Sequence, residues 1–339
     1  MVSMVTRRSF VVGAAGLALA GLASCSSGTA SSGGQASASA SAASSSAQAP
    51  LITVGTLATE DILPLWVASE QGWFDTFDQP VEIVQFQSAT ELIAGVTSGE
   101  ADLAMTDIMV AAGIFASGTD VQMEWVTLGA EPSQGRFGIM VGPESDIQTL
   151  DQLAGVPIGV GSNTILEYVM DNLMEEAGVP ADQIVVEELQ KLPVRYQAMV
   201  SGEVAAAALP ASLLALGEAN GCRTIADDTT GENLSQSVMI ARSEFLAEPG
   251  AAEAVETLKT IWNEAVTSIN EDPQAYQAVL VENANLSEAV AEIYPVSDYP
   301  VCQLPTAAMV DPVLAWMQQK GYLTQPLTYD AQTGEFSKA

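Results

Sequence analysis

The chain has 339 residues, with 10 Lys and Arg against 42 Asp and Glu and no histidine, so its formal net charge is −32. So few cations exclude a phosphate-neutralising face for nucleic acid. The missing imidazole excludes Ser-His-Asp and Cys-His nucleophiles, a His-liganded zinc and a histidine proton shuttle.

In chain order, Thr6-Arg7-Arg8-Ser9-Phe10 and the uncharged run Val11 to Leu22 have the basic and apolar regions of an export signal, too short to span a bilayer. Arg7 and Arg8 resemble the twin-arginine signal. Leu22-Ala23-Ser24-Cys25 resembles a bacterial lipobox, which predicts cleavage and acylation at Cys25 and so a membrane anchor. Residues 26–50 are almost only Ser, Ala and Gly to about Ala49, with nothing to offset the entropy of ordering, and read as a flexible tether.

The folded body begins at Leu51. Leu51 to Val54 reads as a buried strand, Leu63 to Gln71 as a helix, Val81 to Phe86 as a strand and Ser88 to Ser98 as a helix with a Ser88/Glu91 capping box. Asp102 to Thr106 is a strand again. This rhythm predicts α/β architecture, each lobe a mixed sheet flanked by helices, with functional groups at the carboxyl ends of the strands. Ser98-Gly99-Glu100 recurs as Ser201-Gly202-Glu203 ahead of an apolar strand, and Val54-Gly55-Thr56 is echoed by Ile158-Gly159-Val160. Two echoes at a nearly constant shift of about one hundred residues predict two lobes of similar build. After Ser243 the chain turns helical, with candidates at Ala251 to Asn270, Pro273 to Asn283, Leu286 to Ile293 and Pro312 to Lys320, expected to pack on the first lobe.

Three further stretches carry a resemblance. Ala68-Ser69-Glu70-Gln71-Gly72-Trp73-Phe74 resembles an Ala-x-x-x-Gly-aromatic-Phe signature, Ser98 to Asp102 a Gly-x-x-Asp turn, and Asp151 to Gly155 with Pro157 to Val160 a Leu-x-Gly-x-x-Ile-Gly stretch. Together, from about Leu51 to Leu323, they resemble the solute-binding proteins of ABC importers of the nitrate, sulfonate, taurine and thiamine-pyrimidine type. The resemblance implies a two-lobed periplasmic-binding-protein fold (type II) with ligand in the cleft and two chain crossings, expected near Gln134 to Phe137 and Ser235 to Met239. The first lobe is then 51–135 with 239–339, and the second is 136–238. It also implies a monomeric, non-enzymatic, cofactor-free receptor, lipid-anchored outside the cytoplasm, that hands a small solute to a permease and its ATPase.

Candidate ligand contacts follow from position and chemistry. Gly161, Ser162, Asn163 and Thr164 lie between a strand and a helix, with Thr164 and Glu167 as a capping box, so small hydroxyls and unpaired N–H groups suit an oxyanion. The corresponding first-lobe loops offer Thr56, Leu57, Thr59, Gln87 and Ser88, and Pro210 follows the echoed strand. Arg195 can pair with an oxyanion, as can Arg136 and Lys191 near the expected junctions. Asp61, Asp107 and Glu131, with Thr106 beside them, follow first-lobe strands and can face an amine, so a zwitterion would satisfy both sets; surface acids are the other reading. Trp66, Trp73 and Phe74 read as core, and Tyr196 as either packing or a stacking surface. Cys222 and Cys302 form a disulfide if exported and close, and otherwise are two buried thiols. Two other functions stay open. One is a surface lipoprotein with an interaction role. The other is an enzyme on the same fold, although the related thiamine-pyrimidine synthase chemistry depends on a histidine that this chain lacks.

Overall fold

Two mixed sheets organise the computed structural model, which describes residues 49–230, 233–284, 286, 288–291 and 294–339. Arg7, Arg8, Cys25 and the tether up to residue 48 lie outside the described residues.

The strands are β1 (Ile52–Thr56), β2 (Val81–Gln85), β3 (Leu103–Asp107), β4 (Val121–Leu128), β5 (Phe137–Val141), β6 (Pro157–Val160), β7 (Val185–Glu188), β8 (Ala206–Pro210), β9 (Arg223–Asp227), β10 (Ser237–Arg242), β11 (Leu327–Asp330) and β12 (Glu335–Lys338). The first sheet runs β11-β12-β4-β10-β3-β1-β2 and the second β7-β6-β8-β5-β9. Their cores match. β2, β1 and β3 are parallel and are joined by antiparallel β10, while β7, β6 and β8 are parallel and joined by antiparallel β5. The sequence echo thus maps β1 onto β6 and β3 onto β8. Its Ser-Gly-Glu element is a helix stop: Gly99 and Gly202 take φ of 80° and 76°, the left-handed conformation that ends a helix before the next strand.

The parallel strands are connected by helices with legible signals. Ser88 caps the helix Ala89–Ser98 by accepting the Glu91 N–H at 3.2 Å. Glu91 returns its carboxylate to the N–H of Gln87 rather than Ser88, so the box closes one residue early. Pro64 and Pro193 sit in the first turns of Leu63–Glu70 and Leu192–Val200, where a missing N–H costs nothing.

The lobe built on the first sheet packs Trp66 and Leu65 of helix Leu63–Glu70 against the long helix Ala251–Glu271, whose Trp262 meets Trp125 at 5.6 Å. Trp66 is buried as expected, while Trp73 and Phe74 are half-buried. Only part of the C-terminal region stays on this lobe. Helix Ala307–Lys320 packs on helix Ile108–Ser117, but Trp316 and Lys320 reach Asp171 in helix Ile165–Glu176 of the second lobe at 3.0 and 2.8 Å. Its apolar residues join an inter-lobe cluster.

The chain leaves the first sheet through 129–136 and returns through 228–236; the returning strand starts at Ser237, so Ser237 and Val238 belong to the first sheet. The two crossings touch. Gly129 has φ 84°, a Cβ there would overlap the Ser235 carbonyl oxygen, and Asn233 donates to the Gly129 carbonyl at 2.7 Å. Cys222 and Cys302 carry free thiols in separate apolar clusters, one in each lobe, in line with the reading of two separate thiols rather than a disulfide. Cys302 points at the Lys259 carbonyl.

Candidate site in the cleft between the sheets

The carboxyl ends of the parallel strands in the two sheets face a common cavity of about 60 Å³. Strand register explains who arrives there. In the first sheet Asp107, last in β3, pairs with Ser237, first in β10; in the second, Pro210, last in β8, pairs with Phe137, first in β5. All four line the cavity, from two sheets related by the same topology. Leu57, Thr59 and Asp61 come from the loop and 3-10 turn after β1, Ser88 from the helix start after β2, and Thr164, Ile165 and Leu166 from the helix start after β6. Gln190 and Arg195 follow β7.

Asp107 is the centre of this arrangement. One carboxylate oxygen, Oδ1, accepts the Val110 N–H at 2.7 Å and caps its own helix; the other, Oδ2, accepts the Ile165 N–H at 3.0 Å and so caps the first turn of the second-lobe helix. A carboxylate of one lobe therefore occupies the helix start of the other, where the dipole favours negative charge. Burial pushes its pKa up to about 6, against the lowering effect of these N–H donors, and the nearby Asp61 carboxylate adds to the rise. Asp61 accepts a short hydrogen bond from the Ser237 hydroxyl, and its second oxygen has no hydrogen-bond partner among the described residues.

Arg195 lines the cavity and is 2% exposed. Its three nitrogens donate to the main-chain carbonyls of Leu189 (2.8 Å), Ala208 (3.0 Å) and Gln190 (3.3 Å), with no carboxylate within ion-pair distance among the described residues. Burial lowers its pKa to about 10. Its remaining aliphatic stem packs on Gly159, and its guanidinium lies where a Gly161 side chain would otherwise fall.

Nine of the expected contacts are thus brought together here: Leu57, Thr59, Asp61, Ser88, Thr106, Asp107, Thr164, Arg195 and Pro210. Gln87 lines a neighbouring space of about 250 Å³ that shares Leu57 and Leu192 with the cavity and is faced by Phe86, Tyr196 and Leu213. The other five line neither space. Thr56 is buried in the sheet end and donates to the Leu57 carbonyl. Glu131 is exposed in the first crossing, its main-chain N–H donating to the Gln134 side chain at 3.3 Å. Gly161 packs behind Arg195, and the Ser162 hydroxyl is tied to Glu188. Asn163 adopts φ 58° and donates its N–H to Glu167 at 2.6 Å.

The expected Thr164/Glu167 box is replaced as well. The Thr164 hydroxyl donates to the Gly161 carbonyl at 2.7 Å, and Glu167 is engaged by Asn163, Tyr322 and Lys320. Arg136 is paired with Asp227 and Glu218, and Lys191 meets Glu91 of the other lobe at 2.7 Å in an exposed pair. Phe137, Gln190 and Ser237 were not anticipated. Gln190 had a signal: it stands two residues past β7, as Gln87 stands two past β2.

A sequence model described as NMT1/THI5 like matches residues 59–291. The chain belongs to the NMT1/THI5-like family. No curated protein matches it. Among solved structures, the alkanesulfonate-binding protein SsuA from Xanthomonas axonopodis pv. citri, bound to MOPS, is similar at 18% identity and a TM-score of 0.69, over 83% of this chain and 96% of that one. The Candida albicans CA3427 gene product, described as having the generic periplasmic binding protein fold, is similar at 17% identity and 0.64, over 81% and 92%. The desulfurization enzyme DszB, as a C27S mutant with biphenyl-2-sulfinic acid, is similar at 16% and 0.60, over 81% and 94%. At such identities the likeness is one of fold, and this member of the NMT1/THI5-like family has the periplasmic-binding-protein fold.

Proposed function

We propose that the protein is a solute-binding lipoprotein that captures a small polar organic molecule between its lobes outside the cytoplasm and delivers it to an ABC importer. The observation that carries this reading is the cavity itself: buried polar groups from both lobes converge on it, and Asp107 of one lobe is bonded to the helix start of the other at its wall. A solute contacting both sides favours the closed arrangement by its differential affinity, and the two touching crossings at Gly129 and Ser235 supply a hinge. Membership of the family and the binding-protein fold of its structural neighbours support the receptor role.

The export and anchoring steps rest on Arg7, Arg8 and the lipobox Cys25, and the body is the monomeric binding unit. Among the described residues no helix is long and apolar enough to cross a membrane, so the lipid would be the anchor in this reading. The DszB neighbour raises an enzyme as the other reading, but the chain has no histidine and neither Cys222 nor Cys302 lines the cavity. Thermal denaturation with a panel of small solutes tests the proposal. A cognate solute at a hundredfold excess over its dissociation constant adds about 2.7 kcal/mol to stability, whereas a panel of amines, sulfonates, oxyanions, amino acids and pyrimidines that shifts nothing speaks against it.

A further inference from the structure

Resting on the solute-binding reading, we propose that the recognised solute carries a cationic nitrogen, an ammonium or amidinium group, held by Asp61 and Asp107 with the hydroxyls of Thr59 and Thr106. The start of helix Ile165–Glu176 already has its carboxylate, Asp107, and three of the five N–H groups of the Arg195 guanidinium donate to main-chain carbonyls. An incoming sulfonate would have to displace a bonded carboxylate and then sit beside it.

What the cavity has left over is acceptor capacity and negative charge. Its charged lining is Asp61, Asp107 and Arg195, a surplus of one negative charge with no lysine among the lining residues. Asp61 is 4% exposed and has one carboxylate oxygen without a partner. Thr59 and Thr106, 5% and 7% exposed, also line the cavity, and neither hydroxyl has a hydrogen-bond partner among the described residues. These groups line the cavity, where a ligand rather than a protein neighbour can pair them. A group with several N–H donors and a positive charge satisfies all of them together and relieves the repulsion between the two carboxylates.

The adjoining space fixes the rest of the solute. It opens past Leu57 and Leu192 onto Phe86, Tyr196, Leu213 and Leu216, an apolar and partly aromatic wall. A cationic head on a hydrocarbon or flat ring fits this sequence of surfaces, while a small inorganic oxyanion leaves the wall unused.

The test is calorimetric titration of the full-length protein with benzylamine, phenethylamine and benzamidine, each matched to an anion of like skeleton: benzoate, 3-phenylpropionate and benzenesulfonate. The proposal predicts saturable binding confined to the cations. Asp61→Asn should weaken it at least tenfold, and Thr106→Val, which leaves the carboxylates in place, several-fold, with melting temperatures checked to show that both variants fold. Binding of the anions in preference to the cations overturns the cation proposal and leaves the solute-binding reading standing. Cation binding unchanged in a folded Asp61→Asn variant also overturns it. Binding of neither set counts against the proposal and the reading together when native mass spectrometry of the same preparation finds no retained small molecule; a retained molecule that is anionic at neutral pH overturns the proposal alone, and a retained cation supports it.

Discussion

Glu60→Gln should make the protein more stable at neutral pH and remove much of its stability loss above pH 5. Glu60 lies next to Asp61 in the turn after β1, 4% exposed, and its Oε2 has no partner among the described residues. Burial, and secondarily the Asp61 charge, raise its pKa from 4.5 to about 8, although the Tyr294 hydroxyl hydrogen-bonds its carboxyl. The folded protein therefore holds Glu60 protonated at pH 7 while the unfolded chain releases the proton. A raised carboxyl pKa contributes stability that is complete below pH 4.5 and is lost as pH rises through about 8. At 1.36 kcal/mol per pH unit, the loss by pH 7 is about 3 kcal/mol. Glutamine keeps the shape and never ionises, at a cost of about 1 kcal/mol for amide protons with no acceptor. Urea unfolding of both proteins at pH 4.5, 6 and 7.5 separates the two effects, because the offset is constant and the slope is not. Variant stability should be slightly lower at pH 4.5 and higher by about 3 kcal/mol at pH 7.5. Parallel pH profiles for the two proteins would refute the buried, proton-holding Glu60.

Lys320→Met removes the ammonium that lies 2.9 Å from Glu167 and 2.8 Å from Asp171. Leaving two buried carboxylates without it should cost about 3 kcal/mol at pH 7 by denaturant unfolding. Gly129→Ala forces a side chain into the Ser235 carbonyl at a positive φ, so a loss of about 2–4 kcal/mol is expected in the same assay; a neutral result would show that the crossings do not touch. Cys222 and Cys302 should both be alkylated by maleimide in denaturant without any reductant, each adding one label by mass, and the melting temperature should be the same with and without dithiothreitol.

Much of the architecture was legible because the signals are local. Helix stops at Gly99 and Gly202, the Ser88 cap and the apolar strands β3 and β8 are each set within a few residues, and their repetition exposed two similar sheets. The cavity lining was legible where a residue ends a parallel strand or lies in the loop just beyond it, as with Asp107 and Pro210, and Thr59 and Asp61. Contacts made between the lobes were not. No local pattern tells that Asp107 rather than Thr164 caps the second-lobe helix, since the two groups are 58 residues apart from donor to acceptor and meet only when the sheets face each other. The same holds for Ser237 and Phe137, which enter the site on antiparallel strands whose pairing the sequence does not state. Arg195 lines the cavity, and the three carbonyls that orient its guanidinium come from the loop after β7 and from the middle of β8, a convergence visible only in the fold.

Native mass spectrometry of the full-length protein, purified without denaturation, tests most directly whether the two lobes enclose a small solute. The account predicts one noncovalently held small molecule per chain, released on collisional activation and regained when a binding amine from the titration series is added. A spectrum showing only the bare chain, unchanged after addition of cations and anions alike, would contradict it.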